Sequence, residues 1–188
     1  FVSVGLGFFF FEITLIQRLV LFLGYPTYSL TVALASLLVF VGIGALLSER
    51  LNPSSSRALQ ILLGAITALT AFYLFGLPPL TDALLSLPLA ARIPIAFIVL
   101  APLGICLGMF MPLGLGAVAK LGKYPGEYVA WGWALNGFAS VLGSVLTTVL
   151  AMTFGFQVVL ALALVLYIIG LGALHTMRRG ITTPVTAG

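Results

Sequence analysis

Three polar side chains interrupt the first apolar stretch of the chain, Gly5 to Tyr28 (GLGFFFFEITLIQRLVLFLGYPTY): Glu12, Gln17 and Arg18. A carboxylate, an amide and a guanidinium are the groups that relay protons or hold ions. A helix rises about 1.5 Å per residue, and about twenty apolar residues cross a bilayer core. Glu12 therefore falls well inside hydrocarbon, where an ionised group is costly unless it is paired, protonated or wet. Positions 12 and 18 point about 120° apart on a helix, so the two do not satisfy each other. Other segments must supply partners.

Little else in the chain suggests chemistry. His175 is the only histidine and stands beside Arg178 and Arg179. It is a candidate axial ligand to a haem iron or a chlorophyll magnesium, while the lack of a second histidine excludes a bis-histidine haem within the chain. Cys106 is the only cysteine, so no disulfide forms within the chain. Asp82 is the only aspartate. There is no glycine-rich phosphate loop, no HExxH and no CxxC. No acid–base pair suits hydrolysis or group transfer, so no catalytic residue and no metal ligand is assigned.

The 188 residues are 62% hydrophobic and 6% charged, with a formal charge of +4. Soluble domains carry about a quarter charged residues, so lipid must cover this chain. The small, dispersed positive charge excludes a nucleic-acid partner. Punctuation by Gly, Pro and polar loops predicts an all-α polytopic membrane protein of six transmembrane helices, near 2–23, 27–48, 58–77, 93–117, 128–154 and 157–177, with a polar tail over 178–188. Pro78-Pro79 is expected to end the third span, leaving 80–92 as a short interfacial segment that Thr81 or Asp82 caps. Residue 1 is Phe and an apolar run starts at once, which reads as a processed chain or a piece of something longer. No signal-peptide pattern is visible there.

Six spans put the loops alternately on two sides. One side collects Arg50, Arg57, Lys120, Lys123, Arg178 and Arg179, and the other only Arg92. The positive-inside rule then places both termini and the loops 49–57 and 118–127 in the cytoplasm. Tyr124, Tyr128, Trp131 and Trp133 fit an aromatic belt where the fifth span leaves it.

Two stripes of small residues are expected at helix contacts. Gly132, Asn136, Ser140, Ser144 and Thr148 recur every four residues in the fifth span, and Gly104, Gly108, Pro112 and Gly116 in the fourth. Pro102 and Pro112 are expected to kink the fourth span rather than break it around a substrate. Counted from their helix starts, Glu12 and Asn136 lie at similar depth, which predicts that Asn136 donates to the Glu12 carboxylate, with Arg18 further out. The three form an expected buried polar clamp, with an ion relay as the rival reading.

FEITLIQRLVLFLGYPTYSL (11–30), CLGMFMPLGL (106–115) and WGWALNGFASVLGSVL (131–146) together resemble the membrane-embedded part of bacterial polyamine aminopropyltransferase-like (spermidine synthase-like) proteins. The resemblance covers about residues 5–170. It implies a multi-pass place in a bacterial inner membrane, and a soluble Rossmann-like synthase domain as natural neighbour. That family's chemistry belongs to the soluble domain, so the resemblance carries no catalytic residue onto any position here. It implies a non-catalytic scaffold or anchor. The alternatives are an accessory subunit of a respiratory or photosynthetic complex, packed against lipid, quinone or chlorophyll, and a small-solute or polyamine transporter. A carrier of polycations should present several acids at membrane depth, and this chain offers Glu12.

Overall fold

The computed structural model describes residues 1–50, 56–120 and 124–182; the side chains of 56, 58 and 177–182 are outside that description. Lys123 and the side chains of Arg178 and Arg179, used above to orient the chain, lie outside it. Among the described residues every element is helical, and six helices are long and apolar enough to cross a membrane.

Helix α1 (Val2–Leu23) ends at Gly24, whose φ of 81° is left-handed and lets its N–H close back on the Val20 carbonyl. Tyr25 is extended, and Pro26 opens α2 (Pro26–Ser48) from the first helical position, where its missing N–H is not needed. The expected Gly-Tyr-Pro turn is thus formed by the residues suited to it.

The third span departs from expectation. Helix α3 (Ser56–Ala71) passes through a π-helical turn, Phe72–Gly76, into α4 (Leu77–Ala83). Pro78 and Pro79 do not end the span; they occupy the first turn of α4. The wider turn ahead of them, with the Leu77 N–H bonded to the Phe72 carbonyl, resets the register before two residues that have no N–H to give. Thr81 does not cap a new helix. Its hydroxyl donates to the carbonyls of Leu77 (3.0 Å) and Pro78 (2.9 Å), near the end of α4.

Helix α5 (Leu89–Val118) begins earlier than expected and stays helical through Pro94, Pro102 and Pro112. Helix α6 (Pro125–Phe154) turns at Gly155, φ 85°, into α7 (Phe156–Thr182), which continues as helix into the expected polar tail.

The helix directions alternate. Phe1 packs beside Gly114 and Gly132 and shares a small pocket with Gly170 and Leu174, so the start of α1 and α6 and the end of α5 and α7 lie together at one end. Gln17 to Phe22, α4 and the α6–α7 turn meet at the opposite end. Helix α1 is the centre: it packs on α2, α5, α6 and α7, and its span is the most buried of the six. Phe11, Leu15, Leu19 and Phe22 on α1 join Leu100 and Leu103 of α5 and Leu160 and Tyr167 of α7 in one core.

The two most extensive contacts are α2 with α5 and α1 with α6. Glycines allow both. A Cβ on Gly108 would strike the Val41 carbonyl, one on Gly44 the Ile105 carbonyl, and one on Gly104 would sit 2.7 Å from Phe40 Cβ. In the second contact, Gly5 faces Asn136 and Ser140, and Gly143 faces Leu6 and Phe9. Gly132 lies under the Phe1 ring.

Three residues of the expected stripes leave the contacts, Thr148 by being exposed on the outer face of α6. A Cβ on Gly116 would meet nothing within 4 Å. Ser144 turns its hydroxyl to the Val141 carbonyl of its own helix, 2.8 Å away, at an exposed position. Every fourth residue drifts about 40° around a helix that turns 100° per residue. A strict four-residue stripe therefore leaves the interface within a few turns. The buried face of α6 runs instead through Gly132, Ala139, Gly143, Thr147 and Ala151.

Candidate functional site

The polar residues of α1 do not converge. Glu12 is 8% exposed and sits in the middle of α1. Asn136 packs against Gly5, where a Cβ would stand 3.1 Å from its Nδ2, and donates to the Phe1 carbonyl at 3.4 Å. Gly5 precedes Glu12 by seven residues, about 10 Å along the helix. Arg18 lies six residues beyond Glu12, about 9 Å further. The expected clamp is thus a line of three separate positions. Equal depth, counted from helix starts, misled because α6 is longer than α1 and extends past it at the end where both begin.

What gathers around Arg18 is a pocket of about 450 Å³ at the opposite end of the bundle. Its polar wall is Gln17 and Arg18 from α1, Thr81 and Asp82 from α4, and Gln157 from the first turn of α7; Phe22, Leu77 and Phe156 supply apolar wall. Each element places its residue for a local reason. Gln17, Arg18, Leu21 and Phe22 form one patch of the last turns of α1, as spacings of one, four and five on a helix require. The π-helical turn and the two prolines carry α4 over this patch. Gly155 bends the chain so that Gln157 starts α7 at its rim.

The pocket holds one cation, one carboxylate and two amides. That set suits a polar or zwitterionic group at a membrane surface. It contains no nucleophile with an adjacent base, the arrangement that covalent or acid–base catalysis requires. Beside it, Arg92 takes a structural role: its Nη1 donates to the Phe22 carbonyl at 2.7 Å, while its Nε is buried without a partner among the described residues.

His175 is half-buried towards the far end of α7. Among the described residues no group of three or more His, Cys, Asp or Glu side chains is gathered. Cys106 is half-buried on α5.

No family model, curated protein or solved structure matches this chain. The likeness to aminopropyltransferase-like membrane regions therefore rests on the motifs in the sequence.

Sequence reasoning passed over three tyrosine and glutamine positions that the structure singles out. Tyr73 is fully buried and donates to the Val99 carbonyl at 2.7 Å, tying the π-helical turn to α5. Gln157 joins the Arg18 pocket. Tyr167 is fully buried, with a hydroxyl that meets no partner among the described residues. A phenol in the middle of an apolar span is the signal that marks the first and last of these, since a buried tyrosine usually needs a partner for its hydroxyl.

Proposed function

We propose that the chain is a non-catalytic integral membrane module, a scaffold or anchor comparable to the membrane part of aminopropyltransferase-like proteins. In this reading both termini and the loops 49–57 and 118–127 face the cytoplasm of a bacterial cell. The cations of those loops support that orientation, as do the exposed Tyr124, Tyr128, Trp131 and Trp133 at the same end.

The observation that carries the proposal is the outer face of α6. Its span is the least buried of the six. Trp131, Ala134, Phe138, Val141, Val145, Thr148 and Met152 are all exposed. Their spacings alternate three and four, the seam along which one helix packs on another. Meanwhile polar side chains within the bundle are spent on holding helices together: Ser36 donates to the Phe97 carbonyl (2.7 Å), Tyr73 to that of Val99 (2.7 Å) and Arg92 to that of Phe22 (2.7 Å). Such a chain presents a seam to a neighbour and keeps its own polar groups for cohesion. An accessory subunit of a larger membrane complex is the same reading with a different neighbour.

The test is gentle purification from the native membrane with mass spectrometry and an absorption spectrum. A synthase-like domain on the same polypeptide, or stoichiometric membrane subunits, supports the proposal. A solitary chain that drives saturable solute uptake in liposomes overturns it.

A transporter is the second reading, and one feature of the fold favours it. Pairing the first three spans with the last three by their order in the chain exchanges the α1–α6 contact with the α2–α5 contact. Halves of three spans each enter the membrane in opposite directions, the pattern of inverted-repeat carriers. Uptake abolished by Glu12→Gln would favour this reading.

A further inference from the structure

We propose that the Arg18 pocket binds an aminoalkyl phosphate, the headgroup of an ethanolamine phospholipid, with Arg18 on the phosphate and Asp82 on the ammonium. The two charged side chains come from different helices, α1 and α4, and line one pocket without forming an ion pair with each other. A cation and a carboxylate held apart on separate walls suit a ligand that carries both opposite charges with a short linker between them. A purely anionic ligand would face Asp82 as a like charge, and a purely cationic one would face Arg18. Gln17 and Gln157 add amide donors to the same pocket. A guanidinium fork with amide donors matches the two free oxygens of a phosphodiester, each of which accepts more than one bond. Asp82 stands at the end of α4, where its carboxylate and the negative end of the helix dipole both favour an ammonium.

The apolar part of the wall favours a lipid as the source of that headgroup. Leu21 is 83% exposed, Phe154 61% and Leu85 46%, and all three line the pocket beside its polar groups. A small solute with two charges gains nothing from them, whereas the glycerol and first methylenes of a lipid bury against them. Arg18 stands little more than one turn before the end of α1. From there a long side chain reaches the level of the headgroups while its stem stays in hydrocarbon. The volume of about 450 Å³ takes a headgroup and leaves the acyl chains outside. Free phosphoethanolamine offers the same two charges, so the headgroup chemistry is shared and experiment separates the two sources. The anchoring role proposed above is not needed for this site.

The full chain is purified in a mild detergent and titrated separately with dioleoyl phosphatidylethanolamine, phosphatidylglycerol and phosphatidylcholine, and bound lipid is counted by native mass spectrometry. The glycerol lipid has the phosphate without an ammonium, and the choline lipid has a cation without an N–H to donate. The proposal expects the ethanolamine lipid to saturate one site with a Kd at least about fivefold below the other two, the worth of one hydrogen bond to a charged group. Arg18→Gln should raise the Kd of both the ethanolamine and the glycerol lipid about tenfold. Asp82 is exposed, so Asp82→Asn should fold as the parent does by circular dichroism. It should raise the Kd of the ethanolamine lipid about tenfold and leave that of the glycerol lipid no weaker, a split that a general loss of structure does not produce. Phosphoethanolamine that displaces the lipid near the lipid's own Kd identifies a soluble zwitterion as the ligand; failure to displace identifies the lipid. Three lipids that bind alike, or an Asp82→Asn chain that treats all three as the parent does, overturns the proposal.

Discussion

The guanidinium of Arg92, in the first turn of α5, donates to the carbonyl of Phe22, in the last turn of α1, at 2.7 Å. The last carbonyls of a helix have no partner within it, and a cation there also meets the negative end of the helix dipole. Arg92 thus fastens the central helix to its neighbour.

Replacing Arg92 by Met keeps the apolar stem and removes the donor. The variant should lose about 1–2 kcal/mol of stability, and Arg92→Lys should recover part of it. Unfolding of the purified chain by denaturing detergent, followed by circular dichroism, measures both. Equal midpoints for the parent and the Met variant would show that the Phe22 carbonyl is served otherwise.

Gly108 and Gly116 lie two turns apart on α5 and should behave in opposite ways. A methyl at Gly108 meets the Val41 backbone, which cannot step aside without moving α2. Gly108→Ala should cost about 1–3 kcal/mol, as overpacking does. Gly116 faces open space, and Gly116→Ala should be neutral or stabilising by up to about 1 kcal/mol through helix propensity. Detergent unfolding of the two variants side by side decides it, and a loss at Gly116 as large as at Gly108 would sink the assignment of the contact face.

The spans were legible because lipid is a simple solvent: long apolar runs and Gly or Pro turns mark helices whatever their neighbours. Gly24-Tyr25-Pro26 shows this at the level of single residues. The relative slide of α1 and α6 was not legible, since it depends on how Phe1, Gly5 and Leu6 fit against Gly132, Asn136 and Gly143, and not on either helix alone. Pro78-Pro79 misled for a similar reason. A π-helical turn bonded through Leu77 and Phe72, and steadied by Tyr73 on α5, is a tertiary solution to a local defect. The Arg18 pocket was invisible because its walls come from helices far apart in sequence.

The slide of α1 on α6 can be read by cross-linking. In a chain with Cys106 replaced by Ala, cysteines at Leu6 and Gly143 should form a disulfide under mild oxidation, because a Cβ on Gly143 would lie 3.3 Å from the Leu6 Cα. Cysteines at Glu12 and Asn136 should not. The reverse pattern on a non-reducing gel would restore the clamp that counting residues predicts.

Glu12 is buried and has no salt-bridge partner among the described residues. An uncharged side chain of the same shape should be tolerated there, because burying a carboxyl group brings a cost that an amide does not exceed. Glu12→Gln should therefore shift stability by less than about 1 kcal/mol, in either direction. If the detergent-unfolding midpoint falls by more than that, the carboxylate has a partner that the bundle depends on.

The outer seam of α6 separates cohesion from assembly. Phe138 is 65% exposed and Val145 62%, so neither supports the bundle. Truncating both to alanine should leave the stability of the purified chain within about 0.5 kcal/mol, as surface substitutions do. A neighbouring helix packed on the seam would lose the packing of two apolar side chains near its centre. The double variant should therefore purify from the native membrane with its neighbour depleted several-fold, while its own yield is unchanged. Mass spectrometry of the two preparations reads the ratio directly. An unchanged ratio would mean that no partner covers this face, and the proposed anchoring role would then have to pass through another surface of the bundle.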